Sequence, residues 1–565
     1  MSATAIPAMT QSGTPVLILK EGSNTTRGKE AQRNNISAAK LIAEIVRTSL
    51  GPRGMDKMLV DSLGDVTITN DGATMLKEID VQHPAAKMLV EVSKTTDAEV
   101  GDGTTSAVVL AGALLERAEE LLDKGVHPTV IVEGYSKASK KAIEFLNEFA
   151  EKTTPGNKEW LVKVARTSLQ TKLVSREAQD LAEMTVSAML SVAEKKPDGN
   201  YKVDIDNVKV DKKPGGSMKD TQLIKGIVLD KEVVHSGMPK RVENAKIALV
   251  NAAFEIEKTE FDAKLNISEP SMMKKFLDEE TRILKEMVDK VVESGANVLI
   301  CQKGIDDIAQ HYLAKAGILA IRRAKESDMA KLAKAVGARV ATNFEDLTAK
   351  DLGHAALVEE RKIEQDRWTF IEGAKNPKAV TILIRGGTQR IVDEAERSIH
   401  DALMVTKDVL EKSAIVAGGG SPEAETAARV LKWAEKLSGR EQLAAQKFAE
   451  ALESIPTALA SNAGLDPIDS QVELRARHAE GGTWFGIEAR EAKVKDMYKE
   501  QVFEPLIVKE QIIKSATEAA SMILRIDDVI AAGKSRAPPG PPGGGGGGMG
   551  GMGGMGGMGG GGEFD

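Results

Sequence analysis

From Ala107 onward the apolar residues recur at helical spacing: Ala107, Val108, Ala111, Leu114, Leu115, Ala118, Leu121 and Leu122, with Glu116, Arg117, Glu119 and Glu120 on the other face. Gly125 and Pro128 end that helix. Residues 36–150 continue in the same style, with a stripe at Ala39, Ile42, Ile45 and Val46, further helical stretches over 83–95 and 128–149, and one short strand, Val66–Thr69. The segment KTTPGNKEW around Pro155 reads as a boundary. From about 224 to 378 the texture changes: KIALV, NVLICQ, GILAIRR and ARVAT read as strands, with GIDDIAQHYLAKA and DMAKLAKAV as helices between them, the signature of an α/β layer. KAVTILIRGG (Lys378 to Gly387) is another strand and leads into a helix expected over Asp393–Lys412. After VAGGGSPE the pattern is helical to about Ala532. An α/β domain inserted in a helical one, whose two ends form a single domain, explains this order.

At 565 residues the chain exceeds one core, and about 150 residues per domain suggests three or four. With 42% hydrophobic and 28% charged residues it has the composition of a globular protein. A net charge of -8, with acids and bases mixed, and only 3% aromatic residues argue against a nucleic-acid partner. No apolar run reaches the roughly 18 residues of a membrane segment, and MSATAIPAMTQSGTPV lacks a signal peptide's basic start and apolar core. The single cysteine, Cys301, lies in the apolar run NVLICQKG, fits a buried hydrophobe and suits a reducing cytoplasm. Pro538 to Gly562 is low complexity, with Met549, Met552, Met555 and Met558 spaced through glycine. So much glycine cannot bury enough surface to fold, leaving either an inert tether or a carrier of soft apolar contacts.

Short glycine turns recur at element ends: LGPRG (Leu50–Gly54), NDGAT (Asn70–Thr74), GDGTTS (Gly101–Ser106) and AGGGSPE (Ala417–Glu423). Neither GSNTTRGK, with five residues between its glycines, nor the GKS at Gly533–Ser535, which follows a helix, is a P-loop. In GDGTTS the hydroxyls stand at a helix N-terminus, where free N–H groups and the positive dipole end favour an anion. Asp102 or Thr104 there is either a plain N-cap or part of a phosphate site in which Asp102 holds the accompanying metal.

LGPRGMDKML, TITNDGATML, QHPAAKMLVEV, GDGTTSAVVLAGALL, SIHDAL, VAGGGSPE and MILRIDDVIAA, in this order, resemble the signatures of the group II chaperonins, over essentially the whole chain. The resemblance implies a multidomain α and α/β chaperonin fold: a helical equatorial domain (1–154 and 415–536), a small intermediate domain (155–223 and 377–414), an inserted α/β apical domain (224–376) and a Gly/Met tail (537–565). It also implies an ATP-dependent chaperone whose subunits, like or paralogous, assemble into two stacked rings around unfolded polypeptides. ATP and Mg2+ are the implied cofactors, with no separate co-chaperonin lid. By the same resemblance Gly51 and Pro52 approach the α-phosphate, Asp102 is the magnesium ligand, and Gly103, Thr104, Thr105 and Ser106 hold the β- and γ-phosphates. Asp71 orders the attacking water or a metal, Asp401 positions that water, and Lys172 senses the γ-phosphate. Gly419 and Gly420 lie beneath the nucleoside, and Glu504 lies near the ribose or base with no strong energetic role expected. Asp401 sits inside a helical run, where aspartate costs some tenths of a kcal/mol, so a functional gain must offset it.

Residues 254–292 resemble the helical protrusion that serves this family as a built-in lid. Pro270 suits a helix start, and Met273, Phe276, Leu277, Ile283, Leu284, Met287, Val288 and Val291 form an apolar stripe. Its first part, Met272, Met273, Phe276 and Leu277, is expected to be exposed and to bind substrate unselectively. Two other classes compete: an ATP-regulated ring or filament scaffold, which would need no water-positioning acid, and a metabolic kinase, which would need an acceptor site that the α/β insert does not supply.

Overall fold

The computed structural model describes residues 7–9, 15–17, 24–197, 199–255, 270–374 and 378–531, with side chains from Thr26 onward and, on the Pro270–Glu293 helix, from Lys274. The Gly/Met tail, the GKS motif, the 256–269 part of the expected protrusion and the side chains of Met272 and Met273 lie outside the described residues. The chain divides into two units, one formed by the chain ends and one by Gln32–Asp527. In the first, Asn24–Arg27 pairs antiparallel with Asp528–Ala531.

Within Gln32–Asp527 one hydrophobic core is built jointly by residues 36–146 and 414–524, with Leu110, Leu114, Phe448 and Ala516 all fully buried. The stripe read from Ala107 to Leu121 faces it, on a helix that spans Thr104–Asp123. A second core lies on a seven-stranded sheet in the order Gly226–Leu229, Asp366–Glu372, Gly353–Ile363, Arg241–Val250, Val298–Cys301 and Leu319–Ile321, with Val340–Ala341 also pairing with Arg241–Val250. The strands flanked by the expected helices are parallel, and the helices are present at Asp307–Lys315 and Glu326–Val336. Cys301 is fully buried there, its thiol directed at the Ala252 carbonyl, and burial pushes it up to about 11. A third core joins Leu161–Val192 to Val380–Phe503 around the three-stranded sheet Gln222–Ile224, Val380–Gly386 and Val208–Pro214.

Two expectations need correction, and one element was missed. The helix expected from Asp393 begins four residues earlier, at Gln389, because Thr388 caps it by accepting from the Ile391 N–H. The stretch after Ser421 is not helical throughout: an antiparallel hairpin, Phe485–Glu488 with Lys493–Asp496, and the strand Phe503–Pro505 interrupt it. The long antiparallel pair Gly353–Ile363 and Asp366–Glu372 was not anticipated, and it widens the α/β sheet on its antiparallel side.

Pro270 does open its helix, which runs to Glu293. Leu284, Val288 and Val291 are buried, whereas Phe276 and Leu277 are 40% and 54% exposed. The apolar stripe therefore changes role along one helix, from core packing at its C-terminal half to open surface nearer its start.

Candidate functional site: a cavity at converging helix N-termini

A cavity of about 390 Å³ opens among the glycine turns and is lined by Gly51, Pro52, Asp102, Gly103–Ser106, Lys172, Gly419, Gly420 and Glu504. Five separate stretches of chain expected to share a ligand thus meet at one place. The LGPRG turn is held by Asn462, whose amide donates to the carbonyls of Arg47 and Leu50.

Two long helices begin at this cavity, Thr104–Asp123 and Ser421–Ala434. Their N-caps are Gly103 and Gly420, and neither has a side-chain cap, so the first-turn N–H groups remain available as anion donors. This corrects the plain-cap reading, since neither Asp102 nor Thr104 caps the helix; Gly103 does, in a left-handed conformation (φ 78°) that glycine adopts without strain. Asp102 instead stands outside the helix, its Oδ1 accepting from the Gly103 N–H at 2.6 Å. A third, shorter helix, Gly72–Glu78, abuts the same point: a Cβ on Gly72 would lie 2.6 Å from Thr105 Oγ1 and 2.8 Å from Thr105 N, so only glycine permits this approach.

Behind the cavity wall lies a buried charge cluster. Lys172 Nζ is 2.9 Å from Asp401 Oδ2 and 3.9 Å from Asp71 Oδ1. Asp71 also accepts from the Thr74 N–H at 2.7 Å, capping its helix, and from the Thr104 hydroxyl at 3.3 Å. Lys172 lines the cavity, whereas Asp71 and Asp401 flank its ammonium, 8% and 6% exposed. Burial works to raise the Asp71 carboxyl, but Lys172 and the donors from Thr74 and Thr104 outweigh it and hold the group below its ordinary value. At Asp401 burial wins over the pull of Lys172 and pushes the carboxyl well up. The two acids are thereby driven apart in basicity. Lys172 itself, although desolvated, is held protonated by Asp401 and Asp71.

Some lining residues escaped sequence reading. Asn70 is 8% exposed; its amide donates to the Thr171 carbonyl at 2.8 Å, and its Oδ1 has no partner among the described residues. Ile487–Arg490 and Met497 come from the unanticipated hairpin, which is tied to the glycine turn by the Ile487 N–H donating to the Gly419 carbonyl at 2.8 Å. The alternation of Phe485 and Ile487 across Gly486 was the available signal. Glu504 also departs from expectation, because it is ion-paired to the buried Lys509 at 2.5 Å rather than idle.

The sequence model of the TCP-1/cpn60 chaperonin family matches residues 42–534. The chain belongs to this family. It is 58% identical over 522 residues to a thermosome subunit of Pyrococcus horikoshii, covering 92% of this chain and 95% of that one. The alpha subunit of the Archaeoglobus fulgidus thermosome is 58% identical over 534 residues (94% and 98%), and a beta subunit from Sulfurisphaera tokodaii is 56% identical over 541 residues (96% and 98%). The chain is accordingly a group II chaperonin, an ATP-dependent molecular chaperone, with the mixed helical and sheet fold of that family. Nothing in these comparisons favours the scaffold or the kinase. Among the described residues no helix is long and apolar enough to cross a membrane.

One buried acid on the chaperonin's Asp401 helix has no role in the site. Asp408 is 4% exposed, its Oδ2 lacks a hydrogen-bond partner among the described residues, and burial raises the carboxyl to about 8. An unfolded aspartate titrates near about 3.9. The stability conferred by the neutral acid is therefore full below that value and is lost as pH rises toward 8, where the unfolded chain ionises more readily than the folded one. Asp408→Asn should raise the unfolding temperature at pH 8 and leave it nearly unchanged at pH 4, with a gain of up to about 5 kcal/mol. Thermal unfolding at the two pH values checks this.

Proposed function

We propose that the cavity binds ATP with magnesium and hydrolyses it, and that hydrolysis drives a lid-closing cycle around unfolded polypeptide in a double ring of such subunits. The observation that carries this reading is the buried Asp401–Lys172–Asp71 cluster directly behind uncapped helix N-termini. A site that only binds needs N–H donors and a cation; it does not need a desolvated carboxylate of raised basicity.

The residues divide the work by chemistry. First-turn N–H groups at Thr104–Ser106 and the Gly51 turn hold phosphate oxygens, and the Gly419–Gly420 turn with Ile487 and Met497 supports the nucleoside. Asp102 offers a hard carboxylate oxygen. Among the described residues no group of three or more acidic, His or Cys side chains could hold a metal alone, which suits magnesium that arrives with nucleotide and keeps phosphate and water in its shell. Magnesium, when bound, neutralises phosphate charge. Asp401 orients a water and accepts its proton, and Asp71, kept ionised, stays paired with the donors around it. Lys172, shared between the two acids, reaches the γ-phosphate and reports its presence.

The helical and α/β cores correspond in this reading to an equatorial domain (1–154 and 415–536), an intermediate domain (155–223 and 377–414) and an apical domain (224–376). The exposed Phe276 and Leu277 meet substrate, and the compartment is cytoplasmic. Asp102→Ala should weaken magnesium-dependent ATP binding by at least tenfold while changing binding in EDTA little, because it removes a charged ligand from a hard cation. Calorimetric titration with and without magnesium tests it; equal affinities in the two variants would exclude Asp102 as the ligand.

A further inference from the structure

A buried histidine fastens the hairpin that walls the cavity. His478, in the last turn of the helix Pro467–Ala479, is 7% exposed. Its Nδ1 is 2.8 Å from Glu425 Oε2, and its Nε2 is 3.0 Å from the carbonyl oxygen of Phe485. A carbonyl oxygen can only accept, and so can an ionised carboxylate. Glu425 is ionised: burial works to raise its carboxyl, but hydrogen bonds from His478 and from Arg429, whose Nε lies 2.7 Å away, outweigh it and hold the group below its ordinary value. Both ring nitrogens therefore carry hydrogen, and His478 is an imidazolium. Its place suits the charge, because the C-terminal end of a helix favours a cation. A neutral ring would leave one of two buried acceptors without its donor.

Both partners of His478 lead to the ligand space. Glu425 lies one turn into Ser421–Ala434, the helix whose cap, Gly420, lines the cavity. Phe485 opens the hairpin, whose Ile487, Glu488, Ala489 and Arg490 line it from another side. Two residues on from Phe485, the Ile487 N–H donates to the Gly419 carbonyl at 2.8 Å, which closes a circuit of contacts from helix to histidine to hairpin and back to the glycine turn. The circuit has no slack. A Cβ on Gly486 would lie 2.7 Å from the Gly419 carbonyl oxygen, and one on Gly419 would lie 2.9 Å from that of Ile487. Hairpin and glycine turn must therefore shift together, and the two charge-assisted hydrogen bonds of His478 fix where they stand. The phosphate donors at Thr104–Ser106 and the Gly51 turn belong to other elements.

We propose that His478, held between Glu425 and Phe485, is a positioning residue that sets the hairpin against the Gly419–Gly420 turn and so governs the site's grip on the nucleoside and not on the phosphates. This rests on the reading of the cavity as a nucleotide site. The test is equilibrium binding of ATP and of inorganic tripolyphosphate, each with magnesium, to the full-length protein. The unaltered protein should bind ATP the more tightly. His478→Phe, which keeps a ring but offers neither hydrogen, should weaken ATP about tenfold and leave tripolyphosphate unchanged. In hydrolysis the same loss should appear in KM and not in kcat; a merely structural histidine would weaken both ligands alike. Glu425→Gln removes the counter-charge at equal volume and should weaken ATP by a smaller factor, so it carries the test even where the phenylalanine variant does not fold. The double variant should bind ATP no worse than His478→Phe alone, because both changes break one circuit. Unchanged ATP affinity in the folded variants, a parallel loss of tripolyphosphate, or additive losses in the double variant overturns the proposal. An unaltered protein that binds ATP no better than tripolyphosphate overturns it as well, whereas one that binds neither overturns the nucleotide reading of the cavity itself.

Discussion

Asp401→Ala is expected to slow ATP hydrolysis by about two to four orders of magnitude, the range lost when a positioned acid or base is removed. Nucleotide affinity should change little, because the glycine turns, the uncapped N–H groups and Asp102 all remain. The effect is large because Asp401 is not an average carboxylate: it is 6% exposed, and burial raises its basicity even beside Lys172. A base must be ionised to accept a proton, so hydrolysis by the unaltered protein should rise with pH through the elevated titration of Asp401, and the alanine variant should lose that limb. Phosphate release at saturating ATP, measured across pH, checks both. Normal hydrolysis in the variant would move the catalytic role to Asp71.

The second large effect is expected at Lys172. Lys172→Met leaves Asp71 and Asp401 facing one another in a buried space without their shared cation. Breaking a buried pair from one side costs about 3–5 kcal/mol. Both carboxyls would then titrate higher in the folded chain than in the unfolded one, so the deficit should be greatest above neutrality and should shrink on acidification, as protonation removes the uncompensated charge. Adding Asp401→Asn should recover part of the loss at pH 8. Thermal unfolding of the single and double variants at pH 5 and pH 8 provides the comparison, and a deficit independent of pH would mean that the lysine acts through packing alone.

What could be read from the sequence follows physical lines. The Thr104–Asp123 helix was legible because its buried stripe has a single period and Gly125 and Pro128 follow its end. The parallel strands Val298–Cys301 and Leu319–Ile321 were legible as short apolar runs between helices. Strands carrying many charged residues were not: Gly353–Ile363 and Asp366–Glu372 contain VEERKI and DRW, where cross-strand ion pairs such as Arg361 with Glu372 replace an apolar signal. The hairpin Phe485–Asp496 is too short to break a helical texture on either side.

The candidate site divides in the same way. Residues carried by glycine turns, from Gly51 to Gly420, meet at one cavity because a turn motif marks its own place in the chain. The chemistry behind the wall was only half visible. Asp401 was conspicuous as an aspartate inside a helix, but its pairing with Lys172 joins residues 229 positions apart, and no local pattern announces such a contact. Lys509 escaped for a related reason: it lies in an ordinary helix context, and only burial reveals that its polar group must be accounted for.

Coupling of hydrolysis at the Asp401 site to folding is measured by the yield of active enzyme recovered from a chemically denatured substrate protein, followed together with phosphate release. With ATP and magnesium the unaltered protein should raise that yield above spontaneous refolding, whereas the Asp401→Ala variant should bind ATP, hold the substrate and return almost none of it active. Recovery that is the same without ATP, or undiminished in the alanine variant, would contradict the account.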